Sequence, residues 1–266
     1  MCGIAGFIGK SKDIRLTYSL TKSIFKKLEV RGIHASGVFA IDDKNQVYFD
    51  KKPIISSEFV NTNFFKSLED KNLHLCLLHA RQATPMCGNP EDNINNHPFV
   101  SEDGKKILTH NGMVDREEYN ALISMFPTES TCDSEVLLKF MEKNEDNAVK
   151  SFGKLMGLTV KSQFAISYVD FNEKETNLYL IRNAARPLYV FDLTETLGQI
   201  FFCSTTEIFV QALSRFKRSQ EIMNDCIFNR TLPYKLYNFK YTNGEIRRKY
   251  HSIKLHKEVV IEYGWF

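Results

Sequence analysis

Strands in this sequence follow strands. The stretch GVFAIDDKNQVYFDK alternates apolar and polar residues around a polar turn, and FVSEDGKKILTHNG does so around Asp103-Gly104. Period-two alternation broken by turn residues is the mark of a hairpin. From residue 163 onward QFAISYVDF, TNLYLIR, LYVFD and QIFFCS succeed one another with little chain between them, and PYKLYNFKYTNGEIRRKY reads as a last hairpin. Connections this short join antiparallel strands, because a parallel pair needs a crossover of about a dozen residues or more. Residues 2–8 and LHLCLLHA read as further strands, the second of them buried. Helical spacing is grouped between the strands. Ile14, Leu16, Leu20, Ile24 and Leu28 mark a helix over 13–29, and SSEFVNTNFFKSLED suggests a short amphipathic one. DREEYNALISM opens on Asp115 with Glu118 three residues on, a capping-box arrangement. DSEVLLKFMEK, residues 145–157 and TEIFVQALSRF complete the helices. Antiparallel hairpins with helices set between them describe an α+β fold, not alternating βα units.

The chain has 266 residues and contains no repeat, low-complexity tract or Pro/Gly/Ser linker, so one domain over residues 2–266 is expected. The net charge of +3, from 35 basic and 32 acidic residues, gives no case for nucleic acid, and the basic run 246–257 reads as a solvated face. No apolar run approaches the roughly 18 residues that span a bilayer, and the start lacks the form of a signal peptide. The six cysteines show no pairing pattern, no CxxC and no HExxH. They are read as reduced thiols in a cytoplasm, with no metal and no cofactor.

The chain opens MCGIAGFIG. A strand beginning at once behind Cys2 would place the N-terminus inside the fold. Removal of Met1 would then leave a thiol and a free α-amine on one carbon. An α-amine ordinarily titrates near 7.7–8.0, so a fraction of it is neutral at pH 7 and can serve as general base for its own thiol. Attack on an amide further needs oxyanion stabilisation and a hold on the substrate. LTHNGMVD offers the Asn111 carboxamide and the Gly112 backbone N–H at a turn; HARQAT offers Arg81, suited to a carboxylate; TCDSEV offers Asp133, suited to an ammonium group. Together these describe free glutamine or asparagine. Singly, each has a plainer reading. Cys2 can be a small buried hydrophobe, Asn111-Gly112 a simple turn, Arg81 a surface or salt-bridge residue, and Asp133 a helix N-cap.

In MCGIAGFIG, RGIHASGVFA, LLHARQATP, NNHPF, LTHNGMV and TCDSEV, taken in this order, the chain resembles the glutaminase domain of class II glutamine amidotransferases. These are N-terminal-nucleophile (Ntn) hydrolases, represented in glucosamine-6-phosphate synthase, amidophosphoribosyltransferase, asparagine synthetase and glutamate synthase. A looser match continues through IRNAARPLYVF and FFCSTTEI. The resemblance implies a four-layer αββα sandwich of two antiparallel sheets, and hydrolysis of L-glutamine to glutamate and ammonia through a thioester. Carried over, it makes Cys2 the nucleophile, Asn111 and Gly112 the oxyanion hole, Arg81 the holder of the glutamine carboxylate and Asp133 that of its amino group. Thr84 matches a threonine of the substrate loop, and His97 a supporting histidine. Arg31 and Gly32 match a loop that packs near the nucleophile. Two positions depart from the pattern. His34 stands where the family's RGxD motif has aspartate, which implies a local rearrangement, and Gln82 follows the arginine where relatives carry Trp, Tyr or Leu. The polar stretch QATPMCGNPEDNINN suits either a mobile lid or an ordinary surface loop.

In the well-known relatives a synthase domain follows the glutaminase and uses the ammonia. No phosphosugar-isomerase, phosphoribosyltransferase or ATP-pyrophosphatase motif is found here, so a separate synthase subunit is the expected partner. The aromatic end with Tyr263, Trp265 and Phe266 either docks that partner or packs as a last strand. Two alternatives stay open: an Ntn hydrolase of another amide, such as asparagine or an acylated amine, and a non-catalytic binding module that keeps the fold. Arg81 and Asp133 together suit a free amino acid better than an acylated amine.

Overall fold

The computed structural model describes residues 1–84, 87–144 and 147–253. The C-terminal aromatics Tyr263, Trp265 and Phe266, and part of the basic run 246–257, lie outside the described residues. The chain begins with strand β1 (Gly3–Ile8) and helix α1 (Ile14–Leu28), whose first turn is capped by Asp13 accepting the Leu16 N–H at 3.0 Å. The hairpin β2 (Ala35–Asp42) and β3 (Val47–Lys52) follows, then α2 (Ser56–Phe59), α3 (Asn63–Lys66) and β4 (Leu73–Arg81). The second hairpin is β5 (Phe99–Val100) and β6 (Lys106–Met113), turning through Gly104 at φ 72°. Three helices come next: α4 (Arg116–Met125), α5 (Asp133–Lys143) and α6 (Ala148–Leu158). The strands β7 (Gln163–Phe171), β8 (Thr176–Arg182), β9 (Tyr189–Leu193) and β10 (Gln199–Cys203) run in succession. Helices α7 (Thr206–Leu213) and α8 (Ser219–Asp225), strand β11 (Ile227–Arg230) and the hairpin β12 (Lys235–Thr242) and β13 (Glu245–Ser252) complete the described chain.

Among the described residues the strands form two antiparallel sheets. One has seven strands in the order β11-β9-β10-β1-β4-β2-β3, and the other six in the order β13-β12-β8-β7-β6-β5. Side-chain parity along each strand sorts the residues into layers. Ile4 and Ile8 of β1, Leu75 and Leu77 of β4, and Phe39 and Ile41 of β2 face Ile107, Val169, Leu178 and Leu180 of the other sheet. The alternate residues of the first sheet, Phe7, Val38, Cys76 and Leu78, pack outward on Leu20, Ile24 and Phe25 of α1 and Phe209 of α7. Leu108, Ile166 and Tyr168 of the second sheet pack outward on Val136 and Phe140 of α5 and Phe152 of α6. Three apolar seams therefore separate four layers, an α+β sandwich with helices outside and sheets inside.

Three local expectations are revised. Residues 56–66 form two single-turn helices, because Thr62 ends one course and caps the next by accepting the Phe65 N–H at 3.2 Å. The capping box at Asp115 is half made. Asp115 accepts the Glu117 and Glu118 N–H groups, but Glu118 turns away to Lys161 N–H and Ser162 Oγ. Helix α8 and the exposed edge strand β11 are not legible as elements, being short and without a clear apolar period. The outer seam of the larger sheet is rich in rings, with Phe25 fully buried 5.6 Å from Phe59 and 5.9 Å from Phe65. Phe25→Ala should lower the unfolding free energy by about 3–5 kcal/mol, read as a shift of the urea midpoint at unchanged m-value.

Candidate active site

β1 lies in the middle of the seven-stranded sheet, and Cys2 stands directly before it. Its neighbour β4 runs antiparallel with Gly3 opposite Ala80, which brings Arg81 and Gln82 beside the cysteine. The Gln82 N–H donates to Cys2 Sγ at 3.4 Å, and the thiol lies 3.7 Å from the Gln82 carbonyl. Burial pushes the Cys2 thiol pKa up; the Gln82 N–H and the Arg81 charge pull it back in part. The buried thiol is therefore kept in its protonated form near neutral pH. From below, Arg31 Nε donates to the Cys2 carbonyl at 3.0 Å. Gly32 packs so tightly that a Cβ would lie 2.4 Å from the Arg81 carbonyl carbon, so only glycine fits.

By strand parity Cys2, His79, Arg81 and Asn111 all belong to inner faces, which look into the space between the sheets. His79 bridges them. Its Nε2 lies 3.1 Å from the His110 carbonyl on β6, so Nε2 carries the proton and donates. Burial drives the His79 pKa down to about 3, which keeps the ring neutral. Asn111, the next residue, is fully buried, and neither end of its carboxamide finds a hydrogen-bond partner among the described residues. Such groups are rare in folded proteins, because each unmade bond costs about 1–3 kcal/mol. Asn111 and Gly112 do not form the expected turn. Both lie in β6, opposite Ala165 and Phe164 of β7. Gly112 is required by packing, since a Cβ there would lie 1.8 Å from the Gln163 carbonyl.

Asp133 is not the N-cap of α5 but its first residue; Cys132 holds the cap position and makes no side-chain bond there. The buried Asp133 carboxylate reaches back to the residue just past β6, where Oδ2 accepts the Val114 N–H at 2.7 Å. His110 donates from Nε2 to the Gln163 carbonyl at 3.3 Å, so its Nδ1 accepts from Ser134 Oγ at 2.9 Å. The same hydroxyl lies 3.2 Å from Asp133 Oδ1, which the Cys132 thiol also approaches at 3.8 Å.

Arg81 is buried and is not a surface residue, and among the described residues it has no carboxylate within 4.0 Å. Its donors are taken by the loop that follows: Nη1 by Asn96 Oδ1 at 2.7 Å, Nη2 by the carbonyls of Cys87 and Gly88. Thr84 is exposed, its Oγ1 2.9 Å from Cys87 Sγ, and lines an open cleft of about 620 Å³ with His34, Gly88, Asn89, Pro90 and Thr131. His97 is buried before β5, stacked on His79 at 4.0 Å with both ring nitrogens unpartnered among the described residues. Burial holds it neutral, with the neighbouring His79 adding to the effect.

Reading the residues in isolation missed the Gln82 backbone, the His79–His110 bridge, and Asn96. The last was visible inside NNHPF but carried no chemistry of its own. The departure at His34 has a local explanation: its Nδ1 accepts the Ala83 N–H at 2.9 Å, the service an aspartate oxygen would give. His34→Ala should speed amide hydrogen exchange at Ala83 and Thr84 by about tenfold, and His34→Asp should hold it near the wild-type rate, as measured by exchange mass spectrometry.

A family model described as a glutamine amidotransferase domain matches residues 85–211, a span that takes in Asn111, Gly112 and Asp133. Among curated proteins, glutamine–fructose-6-phosphate aminotransferase (isomerizing) of Staphylococcus epidermidis is 31% identical over 196 residues, which is 71% of this chain and 30% of that protein. The Staphylococcus aureus enzyme of the same name is 28% identical over 191 residues, 69% of this chain and 29% of that protein. The chain thus spans under a third of the length of these relatives. Among solved structures, glutamine phosphoribosylpyrophosphate amidotransferase from B. subtilis, complexed with ADP and GMP, superposes with a TM-score of 0.61 at 17% identity, over 96% of this chain and 50% of that one. A glutamine aminotransferase class-II domain protein from Silicibacter pomeroyi gives 0.53 at 14% identity, over 93% and 98%. At those identities the structural likeness carries the fold alone. Taken with the family model, the curated relatives and the order of motifs along the chain, it means that this chain carries a glutamine amidotransferase domain of the class II, N-terminal-nucleophile family.

Proposed function

We propose that the domain, over residues 2–266, hydrolyses L-glutamine to glutamate and ammonia with Cys2 as the nucleophile. Removal of Met1 frees the Cys2 α-amine, which takes the thiol proton as the sulfur attacks the side-chain amide carbon. The raised pKa of the buried thiol makes that base necessary. The tetrahedral oxyanion is received by the Asn111 carboxamide and the Gly112 N–H. Collapse expels ammonia, protonated by the same amine, and leaves a thioester on Cys2. Water, deprotonated by the amine, releases glutamate. Arg81 takes the α-carboxylate and Asp133 Oδ1 the α-ammonium, with Thr84 at the rim. His97 and His79, both neutral, shape the floor, and Arg31 and Gly32 hold the Cys2 backbone from behind.

The observation that carries this reading is the Asn111 side chain: fully buried, on an inner strand face beside the bridge to β4, with donors and acceptor uncommitted. A carboxamide kept that way at a folding penalty has a ligand to meet. The ammonia passes to a synthase, which we place on a separate subunit. The reading draws on relatives whose names pair glutamine with an acceptor sugar phosphate.

The reading is tested with the full-length protein after intact mass has established the state of Met1. The native protein should release glutamate from glutamine, and 6-diazo-5-oxo-norleucine should leave one adduct on Cys2; Cys2→Ala should do neither. Asn111→Ala should keep the KM for glutamine within about threefold and lower kcat by about 10²–10³-fold, as removal of one oxyanion donor does. A protein with Met1 removed that gives neither glutamate nor adduct would exclude the glutaminase and favour the binding-module alternative.

A further inference from the structure

Behind Arg81 lies a second cation with no carboxylate within 4.0 Å among the described residues. Lys51 sits on the edge strand β3, opposite Gly37, and its Nζ donates to the Asn96 carbonyl at 2.6 Å. The ammonium also lies 5.1 Å from the centre of the Phe99 ring. Asp50, beside it in sequence, pairs with Lys52 instead at 3.3 Å, and among the described residues Lys51 has no carboxylate within 4.0 Å. Burial brings its pKa down to about 8. Keeping an ammonium there opposes folding unless the charge serves something.

What it serves is legible in the hydrogen bonds. Asn96 is fully buried, and every polar group of it that faces the loop is used. Its carbonyl takes Lys51, its Oδ1 takes Arg81 Nη1 at 2.7 Å, and its Nδ2 donates to the Pro90 carbonyl at 2.7 Å and to Asn93 Oδ1 at 3.1 Å. Asn93 Nδ2 returns to the Lys51 carbonyl at 2.5 Å. Lys51 is thus joined to the loop by both its backbone and its side chain, and the loop in turn aims the Arg81 fork. We propose that Lys51 is a positioning residue for Arg81, acting through Asn96, and that its charge biases this corner toward ligands bearing a carboxylate. The inference rests on the glutaminase reading above, because it is the α-carboxylate of a free amino acid that Arg81 would meet.

The test compares two alkylators of Cys2 in the full-length protein: 6-diazo-5-oxo-norleucine, which carries an amino-acid carboxylate, and iodoacetamide, which does not. Lys51→Met, close in volume, should slow the first by about tenfold and leave the second within about twofold, and should raise the KM for glutamine about tenfold with a smaller change in kcat. Lys51→Arg should restore both. Should Lys51→Met not fold, Lys51→Gln keeps a donor for Asn96, drops the charge and is read in the same way. Equal slowing of both alkylators, or of neither, overturns the inference while leaving the glutaminase reading intact. A wild-type protein that reacts with iodoacetamide but not with the amino-acid alkylator overturns the glutaminase reading, and the role of Lys51 with it.

Discussion

The place of β1 governs the rest of the molecule. An N-terminal segment usually lies at an edge, where it frays. Here it is the central strand of the larger sheet, hydrogen-bonded to β10 on one side and β4 on the other. Both neighbours come from far along the chain, so the first residues find their position only when much of the sheet is assembled. The reward is rigidity at the residues that lead into β1. Cys2 is held by a strand behind it, by the Gln82 backbone beside it and by Arg31 beneath it. A thiol at the loose end of a strand would otherwise sample many conformations, and the proposed function depends on its not doing so.

Charge in the interior follows a consistent division. The buried imidazoles of His79, His97 and His110 are all held neutral by desolvation. Their hydrogen bonds agree with that: each ring that touches a carbonyl donates to it and leaves its other nitrogen bare or accepting. Arg81 and Lys51, two of the positive charges of the region, are both tied to neutral oxygen acceptors instead of carboxylates. Asp133, the buried acid of the site, is kept apart from them by its bond to Val114 N–H. The corner therefore presents separated charges of both signs, a pattern complementary to a zwitterion.

Much of this was legible in the sequence, for physical reasons. Period-two alternation around Asp103-Gly104 and Asn243-Gly244 marked hairpins because those turns need residues tolerant of positive φ, and Gly104, Asn243 and Gly244 adopt it. The order of MCGIAGFIG, HARQAT, LTHNG and TCDSEV marked the corner where the chain converges. What could not be read were the partners. Asn111-Gly112 looks like a turn in isolation, and only pairing with β7 makes it strand. Asp133 looks like a cap, and only the nearness of β6 gives its carboxylate another donor. Lys51 and Asn96 are 45 residues apart with no pattern between them, so their contact is a product of the fold. Tertiary contacts of this kind override local preference wherever the alternative is an unpaired buried group.

The carbonyls of Cys87 and Gly88 on the Arg81 guanidinium have a thermodynamic consequence. Any anion that reaches Arg81 enters by exchange, releasing two backbone acceptors that must find other donors. Its observed affinity is then a difference between two sets of bonds of similar strength, and a small one. On the proposed function, weak occupancy of this kind suits a site that must let its ligand go: a loop that competes for the arginine would drive the product out as readily as it resists the substrate's arrival. Selectivity arises in the same competition, because a neutral or monodentate ligand offers Arg81 less than the loop already does.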